Sequence, residues 1–186
     1  TTDLYFADSA KLNRIDPVAA AIPATAQSIS LSPTAKYLYA FRGSSKIDFW
    51  RYDVAANAWA TMATTPGTVS RGGAITTNGT YIYAIRGAAT DFWRYNTGTN
   101  SWASMASLPS AAYGGASLVY LNGAIYGVKG SNSTTFWKYN IATNSWTTLA
   151  TTPSPIEWGG SLTTDGTDIY ATKGLSTTTF WKYTVS

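Results

Sequence analysis

Hydrophobic positions recur along this chain with a fixed period. A Phe-Trp-(Arg/Lys)-Tyr run begins at positions 49, 92, 136 and 180, so the spacings are 43, 44 and 44 residues. A trailing tryptophan, a tyrosine, a glycine and a Gly-Gly pair repeat in the same phase. A period of this length is typical of repeat architectures in which each repeat is one supersecondary unit.

Each period divides into four short apolar or alternating runs bounded by turn residues, as at 71–77, 81–86, 91–96 and 101–105. Those are strand lengths, and Asn78-Gly79 between the first two runs is a strong hairpin signal. A lone four-stranded sheet with aromatic rings on both faces needs cover from neighbouring sheets, and a radial array of blades provides it. The pattern predicts an all-β fold, a β-propeller of four to five four-stranded blades.

The ends of the chain are less regular than its middle. We expect one domain over 1–186, with full repeats at 27–66, 67–109 and 110–153, a degenerate partial repeat at 1–26, and a last repeat at 154–186 that lacks its fourth strand. Incomplete terminal blades leave unpaired strand edges, which are prone to association. Three outcomes stay open: the N-terminal segment completes the last blade, the edges pair with another subunit, or the chain is a piece of a longer propeller.

Two motifs carry a family resemblance. A tyrosine precedes a tryptophan by seven positions at Tyr52/Trp59, Tyr95/Trp102 and Tyr139/Trp146, and Gly-Gly pairs occur at 72–73, 114–115 and 159–160. Over residues 28–186 the repeat resembles the kelch family, which implies a kelch-like propeller. It departs from that family because the glycine pairs fall in the first strand rather than after the second. The family includes enzymes and adaptors, so the resemblance does not assign a function.

The residue types present exclude several chemistries. The chain has no cysteine and no histidine, which rules out a copper site of the galactose-oxidase type and removes thiol nucleophiles and the commonest general base. The Asp-box turn of sialidases is absent, and a glycosidase needs two carboxylates at the reacting bond, whereas Glu157 is the only glutamate. The aspartates lie mostly beside turns, where they act as side-chain caps. We expect no enzyme, no catalytic residue, no metal and no cofactor.

Charge and hydropathy bear on location. Charged residues make up 12% of the chain, and no run approaches the roughly 18 apolar residues of a membrane helix. The opening Thr1-Thr2-Asp3-Leu4-Tyr5 lacks the features of an export signal. Few charges and many small hydroxylated residues favour an extracellular location or a cell or virion surface, with no membrane partner.

Eight of the thirteen cations recur in phase with the repeat. They form two series: Arg42, Arg86, Lys129 and Lys173, and Arg51, Arg94, Lys138 and Lys182. Such repetition favours a structural role, for example a guanidinium stacked on a neighbouring ring. The alternative for the first series is a basic ring on one face of the disc that attracts an anionic polysaccharide. A formal net charge of +4 is small for a nucleic-acid-binding protein, so nucleic acid is disfavoured.

Positions that vary inside a constant repeat are the candidates for ligand contact. The residue before each glycine pair is Arg71, then Tyr113, then Trp158, and Glu157 lies beside the last of these. The loop that enters the innermost strand of a blade opens near the central channel, where ligands often bind. These four side chains would suit a sugar or a peptide, and drift among the repeats is the equally weighted alternative.

Two functions follow from these observations. The first is a non-catalytic extracellular or surface propeller that binds carbohydrate or protein through the face carrying Arg71, Tyr113, Glu157 and Trp158. The alternative is a structural subunit of a larger assembly, a filament or a virion, that self-associates through the edge strands of its incomplete end blades.

Overall fold

The computed structural model describes residues 5–8, 11–14, 26–30 and 36–185, and every regular element in these ranges is a β-strand. The strands are β1 (Tyr5–Asp8), β2 (Lys11–Arg14), β3 (Ala26–Ser30), β4 (Tyr37–Arg42), β5 (Phe49–Asp53), β6 (Ala58–Thr61), β7 (Ala74–Thr77), β8 (Tyr81–Ile85), β9 (Phe92–Asn96), β10 (Ser101–Ser104), β11 (Ser117–Leu121), β12 (Ala124–Val128), β13 (Phe136–Asn140), β14 (Ser145–Thr148), β15 (Ser161–Thr164), β16 (Asp168–Thr172) and β17 (Phe180–Thr184).

The strands form antiparallel sheets in chain order. Three sheets have four strands, β3 to β6, β7 to β10 and β11 to β14; a fourth has three, β15 to β17; and β1 pairs with β2 alone. The first strands of successive sheets lie against one another, so β3 is beside β7, β7 beside β11, and β11 beside β15. The fold is therefore an all-β propeller with incomplete blades, which confirms the predicted fold class.

Aromatic rings join each blade to the next. The Phe92 ring of the second full blade meets Tyr139 and Trp146 of the third in T-shaped pairs, at centroid distances of 4.7 and 4.9 Å. Phe49 makes the same two contacts with Tyr95 and Trp102 of the following blade. This edge-to-face geometry is the one that aromatic quadrupoles favour. These recurring rings are packing residues between blades, as their recurrence indicated.

A polar clasp accompanies each of these ring contacts. The indole Nε1–H of Trp146 donates to the carbonyl oxygen of Ala106 in the preceding blade at 2.9 Å. The Asn144 side-chain oxygen accepts bonds from the backbone N–H of Ala106 and from the Tyr139 hydroxyl. Trp102 and Asn100 make the same bonds one blade earlier. The motif Asn-x-Trp thus fixes a fourth strand to its own blade and to the one before it.

The second cation series has a structural role. Each cation lies directly opposite a tyrosine of the adjacent strand, in the pairs Tyr39/Arg51, Tyr83/Arg94, Tyr126/Lys138 and Tyr170/Lys182. The guanidinium of Arg51 stacks on the Tyr37 ring at 4.1 Å, and that of Arg94 stacks on Tyr81 at 4.4 Å. Lys182 instead forms an ion pair with Asp168 at 2.5 Å. This cross-strand stacking and pairing accounts for the series without a ligand.

The placement of the glycine pairs in the first strand was wrong. The first strands of the three relevant blades begin at Ala74, Ser117 and Ser161, so the predicted run 71–77 starts three residues too early. The glycines lie instead in the turn before the strand, where Gly72 has a φ of +83°. A left-handed backbone angle is compatible with glycine and strained for most other residues.

Candidate functional site

The variable residues lie in three turns, here named the entry turns, at 70–73, 113–116 and 157–160. Each turn precedes the innermost strand of its blade and is tied to the end of the second strand. The backbone N–H groups of Ser70, Tyr113 and Glu157 donate to the carbonyl oxygens of Arg86, Lys129 and Lys173, respectively. The entry turns and the first cation series therefore share one face of the propeller.

Successive entry turns are in direct contact. A Cβ added to Gly72 would overlap the backbone carbonyl of Tyr113 in the next blade, and one added to Gly115 would overlap the carbonyl of Glu157. Both glycines also have a positive φ, +83° and +88°. Only glycine meets both requirements, so the three turns form one continuous surface across three blades.

The hydrogen bonds correct the alignment of the repeats by one residue. Tyr113, and not Ala112, occupies the position of Ser70 and Glu157, because the backbone N–H groups of all three donate to the carbonyl oxygen of the cation at the end of the second strand. Gly114 then corresponds to Arg71 and Trp158. The signal was present in the sequence, since Gly73 precedes Tyr83 by ten positions whereas Gly115 precedes Tyr126 by eleven.

An exposed aromatic ring, that of Trp158, lies over Gly114. The atoms of the Trp158 indole lie about 3.0 Å from where a Cβ of Gly114 would be, so the ring covers a position that no other residue could occupy without displacing it. The guanidinium of Arg71 lies 5.6 Å from the centroid of the same ring. Trp158 is 54% exposed and Tyr113 is 42% exposed. We name Arg71, Tyr113, Glu157 and Trp158 the recognition platform.

Glu157 contributes the carboxylate of the platform. Its backbone is fully engaged, since the N–H donates to Lys173 and the carbonyl oxygen accepts from Gly160. The side chain is half-buried and forms no ion pair with another described residue. Of the four predicted ligand-binding residues, Arg71 and Trp158 are in side-chain contact, whereas Tyr113 and Glu157 join the same surface through their backbones.

The predicted basic ring is not uniform. Arg42 pairs with Asp48 at 3.7 Å and Arg86 pairs with Asp91 at 3.3 Å. Arg86 also donates from Nε to the carbonyl oxygen of Thr68 at 2.8 Å. Such bonds fix the guanidinium to its own blade and offset its charge. Within the described ranges Lys129 and Lys173 have no acidic partner, so the ring as a ligand site stays a prediction resting on two lysines.

Aspartates at the opposite ends of the strands act as turn caps. Asp165 accepts backbone bonds from Thr167 and Asp168 and a bond from the Tyr170 hydroxyl. The two backbone donors, followed by the hydroxyl, lower the pKa of this carboxyl to about 2. Asp53 likewise accepts from the N–H groups of Ala55 and Ala56. Hydrogen bonds to the charged form stabilise it, and these contacts support the interpretation of the aspartates as turn formers.

The described part of the chain has neither a helix that could span a membrane nor a cluster of side chains that could hold a metal ion.

Comparison with known proteins places the fold but not the family. No protein-family model matches the chain, and no curated protein matches its sequence. Among solved structures, the chain is similar to YjhT, with a TM-score of 0.65 and 13% sequence identity over 79% of this chain. The match covers 57% of the YjhT chain. At this identity the likeness supports the propeller fold and nothing finer.

Proposed function

We propose that this chain is a non-catalytic, kelch-like propeller of the extracellular space or of a cell or virion surface, which binds carbohydrate or protein through the recognition platform. The observation that carries the proposal is the exposed Trp158 ring, held over Gly114 and beside Arg71. Four of the tryptophans that recur with the repeat, Trp93, Trp102, Trp137 and Trp146, pack between strands or blades. Trp158 is more than half exposed and stands outside that packing.

Carbohydrate is the ligand class that the platform fits best. Sugar rings present an apolar face and a rim of hydroxyls, so they combine well with an aromatic face flanked by hydrogen-bonding groups. Trp158 and Tyr113 supply the rings, Arg71 supplies donors, and Glu157 supplies an acceptor. A protein ligand would use the same anchors, because Trp, Tyr and Arg dominate binding hot spots.

The proposal is tested with a glycan array probed by the labelled 186-residue chain and by the Trp158→Ala variant. We expect one glycan class to bind, and we expect the variant to lose about 2 kcal/mol or more of binding free energy, as truncation of a central aromatic anchor does. Arg51→Ala is the matched control, because Arg51 stacks on Tyr37 inside its own blade. Absence of any bound glycan, or undiminished binding by Trp158→Ala, would refute the carbohydrate proposal.

A second candidate function is that of a structural subunit whose copies pair through the incomplete end blades. Phe180 is 60% exposed, whereas its equivalents Phe49, Phe92 and Phe136 are at most 4% exposed because a following blade covers them. Association of the last blade with the first blade of another copy would be head-to-tail and would build rings or filaments. Sedimentation velocity tests this function: concentration-dependent assembly that Phe180→Ser abolishes would support it, and a monodisperse monomer would refute it.

A further inference from the structure

The first cation series divides into two halves that differ in their partners. In the blades of β3–β6 and β7–β10 the cation is an arginine, and an aspartate just before the third strand offsets its charge. In every blade the backbone N–H of the cation donates to the carbonyl oxygen at this same position. The residues there are, in chain order, Asp48, Asp91, Thr135 and Thr179. The last two blades therefore carry a threonine where the first two carry the aspartate.

Lysine replaces arginine in the same two blades. Lys129 and Lys173 form no ion pair with another described residue, and the Thr135 hydroxyl accepts a bond from the Ser133 hydroxyl of its own loop. An arginine suits a fixed pair within its own blade, whereas a lysine is a flexible point charge that can turn towards a ligand. The exchange of both members of the pair leaves two positive charges that no described acid offsets.

These two blades also build the stacking surface of the recognition platform. The carbonyl oxygen of Lys129 accepts from the N–H of Tyr113, and that of Lys173 accepts from the N–H of Glu157. Tyr113 immediately precedes Gly114, and Glu157 immediately precedes the tryptophan whose ring covers Gly114. Each lysine is thus bonded through its backbone to a neighbour of that contact. The blade of Lys129 has a described blade on either side.

The face that carries the platform has an excess of positive charge. It is formed by the entry turns and by the loops between the second and third strands. Its cations among the described residues are Arg42, Lys46, Arg71, Arg86, Lys129 and Lys173, and its acids are Asp48, Asp91 and Glu157. An excess of one sign attracts ligands of the opposite sign from about one Debye length away, roughly 10 Å at 0.1 M salt.

We propose, on the basis of the carbohydrate-binding function proposed above, that the ligand of the recognition platform is an acidic polysaccharide with carboxylate or sulfate groups on its sugar rings. A sugar ring stacks on Trp158, and anionic groups of the same polymer accept charge-assisted hydrogen bonds from Lys129 and Lys173. Arg71 supplies a third cation, and Glu157 accepts from a sugar hydroxyl.

Matched acidic and neutral polymers test the charge of the ligand. Oligogalacturonate carries a carboxylate on every ring, and its methyl ester has the same rings without the charge; dextran sulfate and dextran form the corresponding pair for sulfate. Each is titrated against the 186-residue chain by calorimetry in about 50 mM salt, where screening is weak. We expect at least one acidic polymer to bind, and its neutral counterpart to bind at least about tenfold more weakly. The acidic polymer that binds identifies the anionic group.

Two double variants test the lysines and leave Trp158 in place. Lys129→Ala combined with Lys173→Ala should weaken binding of the acidic polymer by roughly five- to tenfold, since exposed ion pairs each contribute modestly. Thr135→Asp combined with Thr179→Asp restores the aspartates of the first two blades and should weaken binding to a similar extent while both lysines remain. Near-ultraviolet circular dichroism, which reports the packing of the aromatic rings, verifies that each variant is folded.

The chain offers a control with the same change in net charge. Lys36→Ala combined with Lys138→Ala removes two lysines that lie over the rings of Tyr37 and Tyr126, away from the entry turns. This variant should change the affinity for the acidic polymer by less than about twofold, because salt screens charges that do not contact the ligand.

Several outcomes would overturn the proposal. They are binding of neither acidic polymer, equal binding of an acidic polymer and its neutral counterpart, and undiminished binding by both double variants. A polymer whose binding survives Trp158→Ala, or equally tight binding of double-stranded DNA, would indicate a non-specific polyanion surface and would overturn it as well. A neutral glycan that binds and is lost in Trp158→Ala would leave the carbohydrate-binding function standing without its acidic ligand. Absence of any bound glycan on the array would refute that function itself.

Discussion

The clasp formed by Trp146 gives the sharpest test of how the blades are held together. Replacing Trp146 with alanine removes its bond to Ala106 and its ring contacts with Phe92, Trp137 and Tyr139. The hydrogen bond contributes about 1 kcal/mol, and each well-formed ring pair adds about 0.5–1.5 kcal/mol beyond its buried area. Because the ring is half-buried, the total loss of unfolding free energy should lie at the low end of the range measured for Trp→Ala substitutions, about 3 kcal/mol.

Urea unfolding at 25 °C, followed by circular dichroism and by fluorescence, measures this loss. Trp146→Ala should lower the free energy of unfolding by about 3 kcal/mol, and Trp146→Phe, which keeps a ring and loses the Nε1–H, should lower it by about 1 kcal/mol. Coincident transitions with the two probes are needed before either number is used.

The chain contains a matched control for this measurement. Trp158→Ala removes an equally large side chain, but one that is 54% exposed and has Arg71 as its cation partner. Its cost should stay below about 1 kcal/mol, the size of an exposed cation–π contact. If Trp146→Ala lowered the free energy of unfolding no more than Trp158→Ala does, the trailing tryptophans would not be holding the blades together.

Further predictions concern backbone strain and pH. Gly115→Ala should lower the free energy of unfolding by more than about 2 kcal/mol, since the added Cβ would overlap the next blade. Gly166→Ala should lower it by only about 1 kcal/mol, because Gly166 has a φ of +93° but open space around it. Urea unfolding of the two variants measures the difference. Burial raises the pKa of Tyr95 and Tyr139 to about 12, so the stability that rests on their neutral form is complete below pH 10 and is lost as the pH rises towards about 12. Absorbance at 295 nm should show these two tyrosines ionising after the exposed ones, and a single transition near pH 10 would contradict this. The lowered pKa of Asp165 gives stability that is present above the ordinary pKa of an aspartate and is lost as the pH falls towards about 2. In urea unfolding as a function of pH, Asp165→Asn should flatten that part of the stability profile. A profile that the substitution leaves unchanged would contradict this prediction.

Regular features of the chain could be predicted from the sequence because every repeat faces the same physical demand. A ring at Phe92 and a tryptophan at Trp146 recur in phase, since each blade must cover the one before it. The cations opposite tyrosines followed for the same reason, and Arg94 stacks on Tyr81 as the structural interpretation required. These contacts were predictable because the residues that make them recur in every repeat.

Local features could not be predicted because they depend on contacts between turns. Gly72 and Gly115 were placed in strands, since a sequence does not reveal a positive φ or the carbonyl lying against a glycine. The one-residue shift at Tyr113 was visible as a changed spacing, but hydrogen bonds were needed to assign it. Arg86 forms an ion pair with Asp91, a contact that the repeat pattern did not indicate; the sequence favoured a structural role for this cation series and left a basic ring as the alternative.

Tryptophan-selective ¹⁵N NMR gives the most direct test of the proposed recognition platform. The eight tryptophans of the chain give eight resolvable indole N–H signals, which are assigned by substitution and followed during titration with a glycan identified on the array. Ligand binding should shift the Trp158 signal strongly and leave those of Trp102 and Trp146, which are bonded to backbone carbonyls between blades, unmoved. A bound glycan that leaves the Trp158 signal in place while other indole signals move would contradict the account.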